Sequence, residues 1–166
     1  RATELKEQAQ SSLNQKDYIK ARYLFKKAYE AFATRENYPQ AIESGVQANA
    51  LYVRENFYKE GFELCRDMDQ LIWTGEQNQK KVFYDLRFLV NKERLQMYTA
   101  LKNPAQAKTQ LNKLEETANL AKNDSLTEVL LYTKANYYYT FNQNTQGDAC
   151  FRKLINQYKE KKDYAK

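Results

Sequence analysis

Residues 17–29 read DYIKARYLFKKAY, and the spacing of three of them decides the fold. Ala21, Phe25 and Ala28 stand at i, i+4 and i+7, one face of an α-helix. The layout returns in FYKEGFELCRDM (57–68) as Gly61, Cys65 and Met68, and in NPAQAKTQLNKL (103–114) as Ala107, Leu111 and Leu114. It returns once more in TQGDACFRKLINQY (145–158) as Gly147, Phe151 and Leu154. The small residues that open these triplets are 40, 46 and 40 residues apart. A fixed interval of this size is the mark of a stacked helical repeat, in which each unit buries its apolar face against its neighbours.

A second helix precedes each of these. Its apolar positions are Leu5 and Ala9, then Gly45, Ala48 and Tyr52, then Leu86, Val90, Met97, Tyr98 and Leu101, and finally Leu131, Ala135 and Tyr138. Two antiparallel helices come close only where one offers a small side chain to the other's bulk, so the pairing is a packing requirement. Helix-start signals divide the chain further. Asp17 can cap a helix from Tyr18, and Pro39 suits a first turn. Asn103-Pro104-Ala105-Gln106 is a cap, a proline at the first helical position and a Gln at the third. Ser125-x-x-Glu128 and Thr145-x-x-Asp148 fit the Ser/Thr-x-x-acid opening, and Gly75 reads as a stop after DQLIW (69–73). The expected helices are 3–14, 18–35, 38–55, 58–73, 78–101, 104–122, 125–142 and 146–161. They form four pairs over 3–35, 38–73, 78–122 and 125–161 of a single domain with no strand. KKDYAK (161–166) echoes QKDYIK (15–20), so the array is expected to continue beyond Lys166.

Composition agrees. Only 4 Gly and 2 Pro occur in 166 residues, too few turn formers for a fold of many short strands. Aromatics reach 14%, led by 14 Tyr, which supplies core bulk despite a mean hydropathy of −0.91. The net charge is +6, but Lys and Arg alternate with Glu and Asp, as in ARYLFKKAYEAFATRE (21–36). That is a mixed solvated surface, not the one-sided basic face of a nucleic-acid binder, and YKEKKDYAK (158–166) reads as an exposed helix end. With no His, a Ser-His-Asp triad, a Cys-His dyad and a His-containing zinc site are excluded. Cys65 and Cys150 lie in apolar helical patterns and read as small buried side chains. Glu115-Glu116 reads as a solvated pair, Asp67 and Asp69 diverge on either side of Met68, and Trp73 reads as the cover on a helix end. No phosphate-binding Gly-rich loop and no apolar run of about 20 residues is present. These readings call for no cofactor, no metal and no enzymatic activity. The chain opens on Arg1 without Met, which leads us to expect a piece whose targeting and anchoring segments lie elsewhere.

Taken together, the small-aromatic-small pattern of the paired helices resembles the tetratricopeptide (TPR) repeat. Leu5, Ala9, Ala21, Phe25 and Ala28 carry it in the first pair, and Leu131, Ala135, Tyr138, Gly147, Phe151 and Leu154 in the fourth. The intervals exceed the family's roughly 34 residues. Asn49 and Leu95 stand where the family has a small residue. The resemblance implies an all-α, α-α superhelix of about four TPR-like pairs that binds a protein or peptide. Its inner groove would be lined by Lys6, Gln10, Asn14, Arg54, Lys92, Gln96, Tyr132, Asn136 and Tyr139, cationic, amide and phenolic groups suited to an extended peptide. The chaperone-tail clamp of the family is not reproduced, since Val46 and Ala50 stand in place of its Asn. In texture, rich in Asn, Gln, Lys and Tyr, the chain also looks like the sensory regions of Bacteroidetes membrane-anchored regulators. That implies a periplasmic, ligand-sensing or assembly role in signalling or transcription regulation. Self-association without a separate ligand is the alternative.

Tyr137, Tyr138 and Tyr139 sweep about 200° of helix surface and cannot share one role. By the same resemblance Tyr138 packs between the paired helices, Tyr139 faces the groove, and Tyr137 meets a neighbouring repeat or solvent.

Overall fold

A computed structural model describes residues 1–164 of the chain. Among the described residues there are eight helices and no strand: α1 (Ala2–Asn14), α2 (Tyr18–Thr34), α3 (Tyr38–Arg54), α4 (Tyr58–Gln79), α5 (Tyr84–Ala100), α6 (Pro104–Ala121), α7 (Asp124–Thr140) and α8 (Asn144–Tyr164). The last two residues of the 161–166 echo lie outside the described residues. Consecutive helices pack against each other throughout, so the fold is an all-α stack of four helix pairs. α3 also touches α5, and α5 touches α7, whereas the even-numbered helices make no comparable contact with one another. The odd-numbered helices therefore adjoin along one side, and the even-numbered helices stand apart on the other.

The four small residues that open the triplets are all buried. A Cβ on Gly61 would come within 2.7 Å of Met97 Sδ, and one on Gly147 within 2.8 Å of the Tyr139 ring. A first core cluster runs from Ala2 to Met97 through Phe25, Ile42 and Met68. A second gathers Phe88, Leu95, Leu111, Leu114 and Tyr137, and a small third holds Leu131, Ala135, Cys150 and Leu154. Both cysteines are buried and unpaired.

The turns explain the interval. Each of the seven connections contains one residue in the left-handed region: Lys16, Glu36, Asn56, Lys80, Lys102, Lys122 and Asn142. None is glycine. In five of them this residue's N–H donates to the carbonyl three back and the next N–H to the carbonyl five back, as in Lys16 to Leu13 (3.0 Å) and Asp17 to Ser12 (2.9 Å). Such a turn ends one helix and leaves the following residue to cap the next. Asp17, Asn37 and Asn103 do so, each accepting a hydrogen bond from a backbone N–H three residues on. A helix of about 17 residues plus this three-residue turn repeats every 20, hence the 40-residue pair.

The structure departs from the expected boundaries at three places. Gly75 does not stop a helix: α4 runs on to Gln79, and α5 starts at Tyr84 instead of 78. Gly75 has no positive φ and serves as a contact point, where an added Cβ would lie 2.7 Å from the Phe83 ring and 2.9 Å from that of Tyr38. Trp73 accordingly covers no helix end and is 56% exposed on α4. The loop after α4 is tied down by buried Glu76, which accepts from Phe83 N (2.8 Å), Arg87 Nε (2.7 Å) and Arg87 Nη2 (2.5 Å). The extra turn and the loop account for the long interval of 46 residues. Secondly, α7 is capped by Asn123, which accepts from Ser125 N at 2.9 Å, and not by Ser125. Thirdly, α8 begins at Asn144, before Thr145. In both cases the left-handed turn sets the start and outranks the Ser/Thr signal.

A helical Gly→Ala change ordinarily stabilises by about 1 kcal/mol. At Gly75 two aromatic rings occupy the space, and overpacking of this kind costs about 1–3 kcal/mol. Gly75→Ala is therefore expected to lower the urea midpoint; a raised midpoint would show that the rings do not close on this residue.

Candidate functional site

The odd-numbered side carries a groove of 470 Å³. Its floor is α7, where Glu128, Tyr132 and Asn136 recur every four residues along one row, with Val129 and Thr133 beside them. One wall is α5, through Lys92 and Gln96 with Leu95 and Thr99, and the other is α8, through Leu154 and Tyr158. Four of the nine residues expected in a groove, Lys92, Gln96, Tyr132 and Asn136, thus come together in one place. The spacing of four on each helix is what aligns them.

The groove is lined mainly by groups free to bind. Tyr132 is 64% exposed and meets the Phe151 ring edge-on, at 5.7 Å between centroids and 87°. Tyr158 is 61% exposed. Among the described residues Lys92 makes no ion pair. The nearby carboxylate, Glu128, is taken by Lys161, whose ammonium pKa it raises. An unpaired cation, two primary amides, two phenols and two threonine hydroxyls therefore surround a strip of Val129, Leu95 and Leu154. That combination provides hydrogen-bonding groups for a peptide backbone and, in exposed Val129 and the two phenol rings, apolar surface for its side chains.

The other five expected residues are engaged elsewhere. Lys6 donates to Gln40 Oε1 (2.7 Å) and Glu43 Oε1 (3.0 Å), joining α1 to α3. Gln10 donates to Asn14 Oδ1 on its own helix (3.0 Å). Arg54 lies over the Tyr18 ring, 3.9 Å from its centroid. Tyr139 donates its hydroxyl to Asp148, lies over Gly147 and stacks on Phe151. It is therefore Tyr139, not Tyr138, that closes against the small residue of the paired helix. Tyr138 is half-buried and packs against both the second and third clusters. Tyr137 meets the preceding repeat, buried in the second cluster with Lys108 Nζ 6.0 Å from its ring centroid.

Tyr158 and Glu128 are among the groove residues that the sequence did not place there. Tyr158 continues the row Gly147, Phe151, Leu154 by one helical step, so its spacing could have found it. Glu128 reads as a helix-opening acid, and nothing in the sequence separates that role from a place in a groove wall. Glu115, read as solvated, pairs with Lys134 at 2.6 Å.

Behind Lys92 lies a buried carboxyl. Glu93 is 4% exposed and accepts from Asn49 Nδ2 at 3.4 Å, its one hydrogen bond among the described residues. Burial pushes it from its ordinary value near 4.5 up to about 6, with the Asn49 bond and the Lys92 charge pulling it back. The adjoining Cys65 thiol is pushed up to about 12, mainly by burial. Between pH 4.5 and 6 the folded chain holds the Glu93 proton more tightly than the unfolded chain does. The group's contribution is therefore full below about pH 4.5 and falls as pH rises through 6, by about 2 kcal/mol. Denaturation of the parent chain and Glu93→Gln at several pH values should show the variant gaining relative stability from pH 4.5 to 7. A constant difference would mean that Glu93 titrates normally.

No family model, curated protein or solved structure matches this chain.

Proposed function

We propose that this chain is a non-catalytic TPR-like module that binds an extended protein or peptide segment in the groove over α7. The supporting observation is the convergence of unpaired Lys92 with Gln96, Tyr132 and Asn136 around a narrow apolar strip. The groove offers a cation and amides to backbone carbonyls and acidic side chains, and phenol rings to apolar ones. In this reading the module is the ligand-sensing or assembly region of a larger signalling or transcription-regulating protein, facing the periplasm from a membrane-anchored parent of the Bacteroidetes type. It neither binds nucleic acid nor, among the described residues, has a helix long and apolar enough to cross a membrane.

Self-association is the second reading, and one observation favours it. Tyr158 stands eleven residues after Gly147, and its counterparts at that step, Phe32, Ile72 and Ala118, are all buried. On α8 Tyr158 is 61% exposed and Ile155 beside it 51%, an apolar face that a second copy of this chain would cover.

Binders selected from a displayed library of random twelve-residue peptides test the groove. Lys92→Ala combined with Tyr132→Ala is expected to weaken the selected peptides at least tenfold in fluorescence anisotropy, with helicity by circular dichroism unchanged. Equal affinity would reject the groove. A mass by light scattering that doubles with concentration, and stays single in Tyr158→Glu, would favour the second reading.

A further inference from the structure

A second depression lies on the other side of the stack, where α4 and α6 stand apart with α5 as the floor. Two adjoining cavities of 640 and 570 Å³ share Arg66, Arg94 and Gln110 and so form one furrow. It occupies the one irregular interval of the array. On α5 its residues, Arg87, Asn91, Arg94 and Tyr98, are set about 150° round the helix from Lys92 and Gln96, so it is separate from the groove over α7.

The furrow has built features that the fold does not use. Gln110 is only 6% exposed, lines both cavities, and its Oε1 has no hydrogen-bond partner. A buried acceptor left unpaired costs about 1–3 kcal/mol, so a half-turn of the Gln110 amide that brings this enclosed oxygen to a donor in the furrow would be stabilising. Arg87 and Arg94 are committed to Glu76 and Asp69. Arg66 and Lys113 are exposed and, among the described residues, make no ion pair. Trp73 stands exposed at one end, and at the other the Phe62 and Tyr98 rings pack with centroids 4.9 Å apart.

We propose that the furrow between α4 and α6 binds an acidic peptide segment, with a carboxylate held by Arg66 and Lys113 and a backbone N–H donated to Gln110 Oε1. Flanking apolar side chains rest on Trp73 and on the Phe62–Tyr98 pair. A polyphosphate chain fits less well for two reasons. Glu63, which makes no ion pair among the described residues, lines the same furrow and repels a continuous run of negative charge. A phosphate also has no donor for the Gln110 oxygen. A peptide supplies isolated charges and regularly spaced N–H groups.

Trp73 is the sole tryptophan, so its emission reports on the furrow directly. The intact chain is titrated with three probes: N-acetylated (Glu-Leu)4, its neutral counterpart (Gln-Leu)4, and an eight-residue oligodeoxythymidylate. The expected result is a saturable emission change with (Glu-Leu)4 alone. Arg66→Ala combined with Lys113→Ala should weaken it at least tenfold, and Gln110→Leu at least threefold, with circular dichroism verifying the fold of each variant. Lys92→Ala combined with Tyr132→Ala should leave it unchanged, which keeps this result independent of the groove over α7. The assignment is overturned by equal saturation with the neutral peptide or the oligonucleotide, by parental affinity in either furrow variant, by loss of binding in the groove variant, or by no saturable change at millimolar (Glu-Leu)4.

Discussion

Close approach between neighbouring helices is the constraint on which the rest of this structure depends. Each even-numbered helix presents a buried Ala or Gly, at 21, 61, 107 or 147, and in the second and fourth pairs a large side chain fills the space where a Cβ of the glycine would lie. Met97, from α5 of the following pair, does this at Gly61, and the Tyr139 ring, from the paired helix, does it at Gly147. Contact at that range brings the backbones near enough for both flanks of a helix to be covered. Isolated helices of 13–22 residues draw most of their stability from such packing and little from intrinsic propensity. The residues on the far faces are then released from packing duty, and both candidate binding surfaces are made of them.

The turns impose a second regularity. A left-handed C-terminal residue followed at once by the next N-cap is the shortest way to reverse a helix; it holds five of the seven connections to three residues, and the one after α6 to two. Using Lys, Glu or Asn there instead of Gly costs roughly 1 kcal/mol per site in the folded state. It also keeps the unfolded chain less free than glycine would. The seventh connection, after α4, is longer and needs the Glu76 carboxylate to satisfy its backbone and hold Arg87. The furrow between α4 and α6 sits at this departure from regularity.

Much of the fold was legible in the sequence because packing at a fixed helical step leaves a fixed spacing. The triplets at 21, 61, 107 and 147 reveal the even-numbered helices, and Asp17 and Asn103 announce their own starts. Boundaries failed where a residue type has two uses. Gly75 reads as a stop, yet it is a contact point, because a glycine's lack of a Cβ serves either purpose. Ser125 reads as a cap, yet Asn123 takes the role, because the preceding left-handed Lys122 fixes where the helix must begin. The groove was half legible. Lys92, Gln96, Tyr132 and Asn136 share its lining because their spacing is helical, whereas Lys6, Arg54 and Tyr139 are drawn off by Glu43, Tyr18 and Asp148, long-range or loop-spanning partners that no local pattern reveals. The furrow was not legible, since Gln110 differs from any other helical Gln only in what surrounds it.

The central claim is that small side chains on the even-numbered helices set the spacing of the whole stack. α6 offers a comparison within one turn, because Ala107 is buried at the contact while Ala105, two residues earlier, is exposed. Equilibrium urea denaturation of Ala105→Leu and Ala107→Leu measures the claim directly. The account predicts a change within about 0.5 kcal/mol for the first and a loss of about 2–3 kcal/mol for the second. Equal changes in the two variants would contradict it.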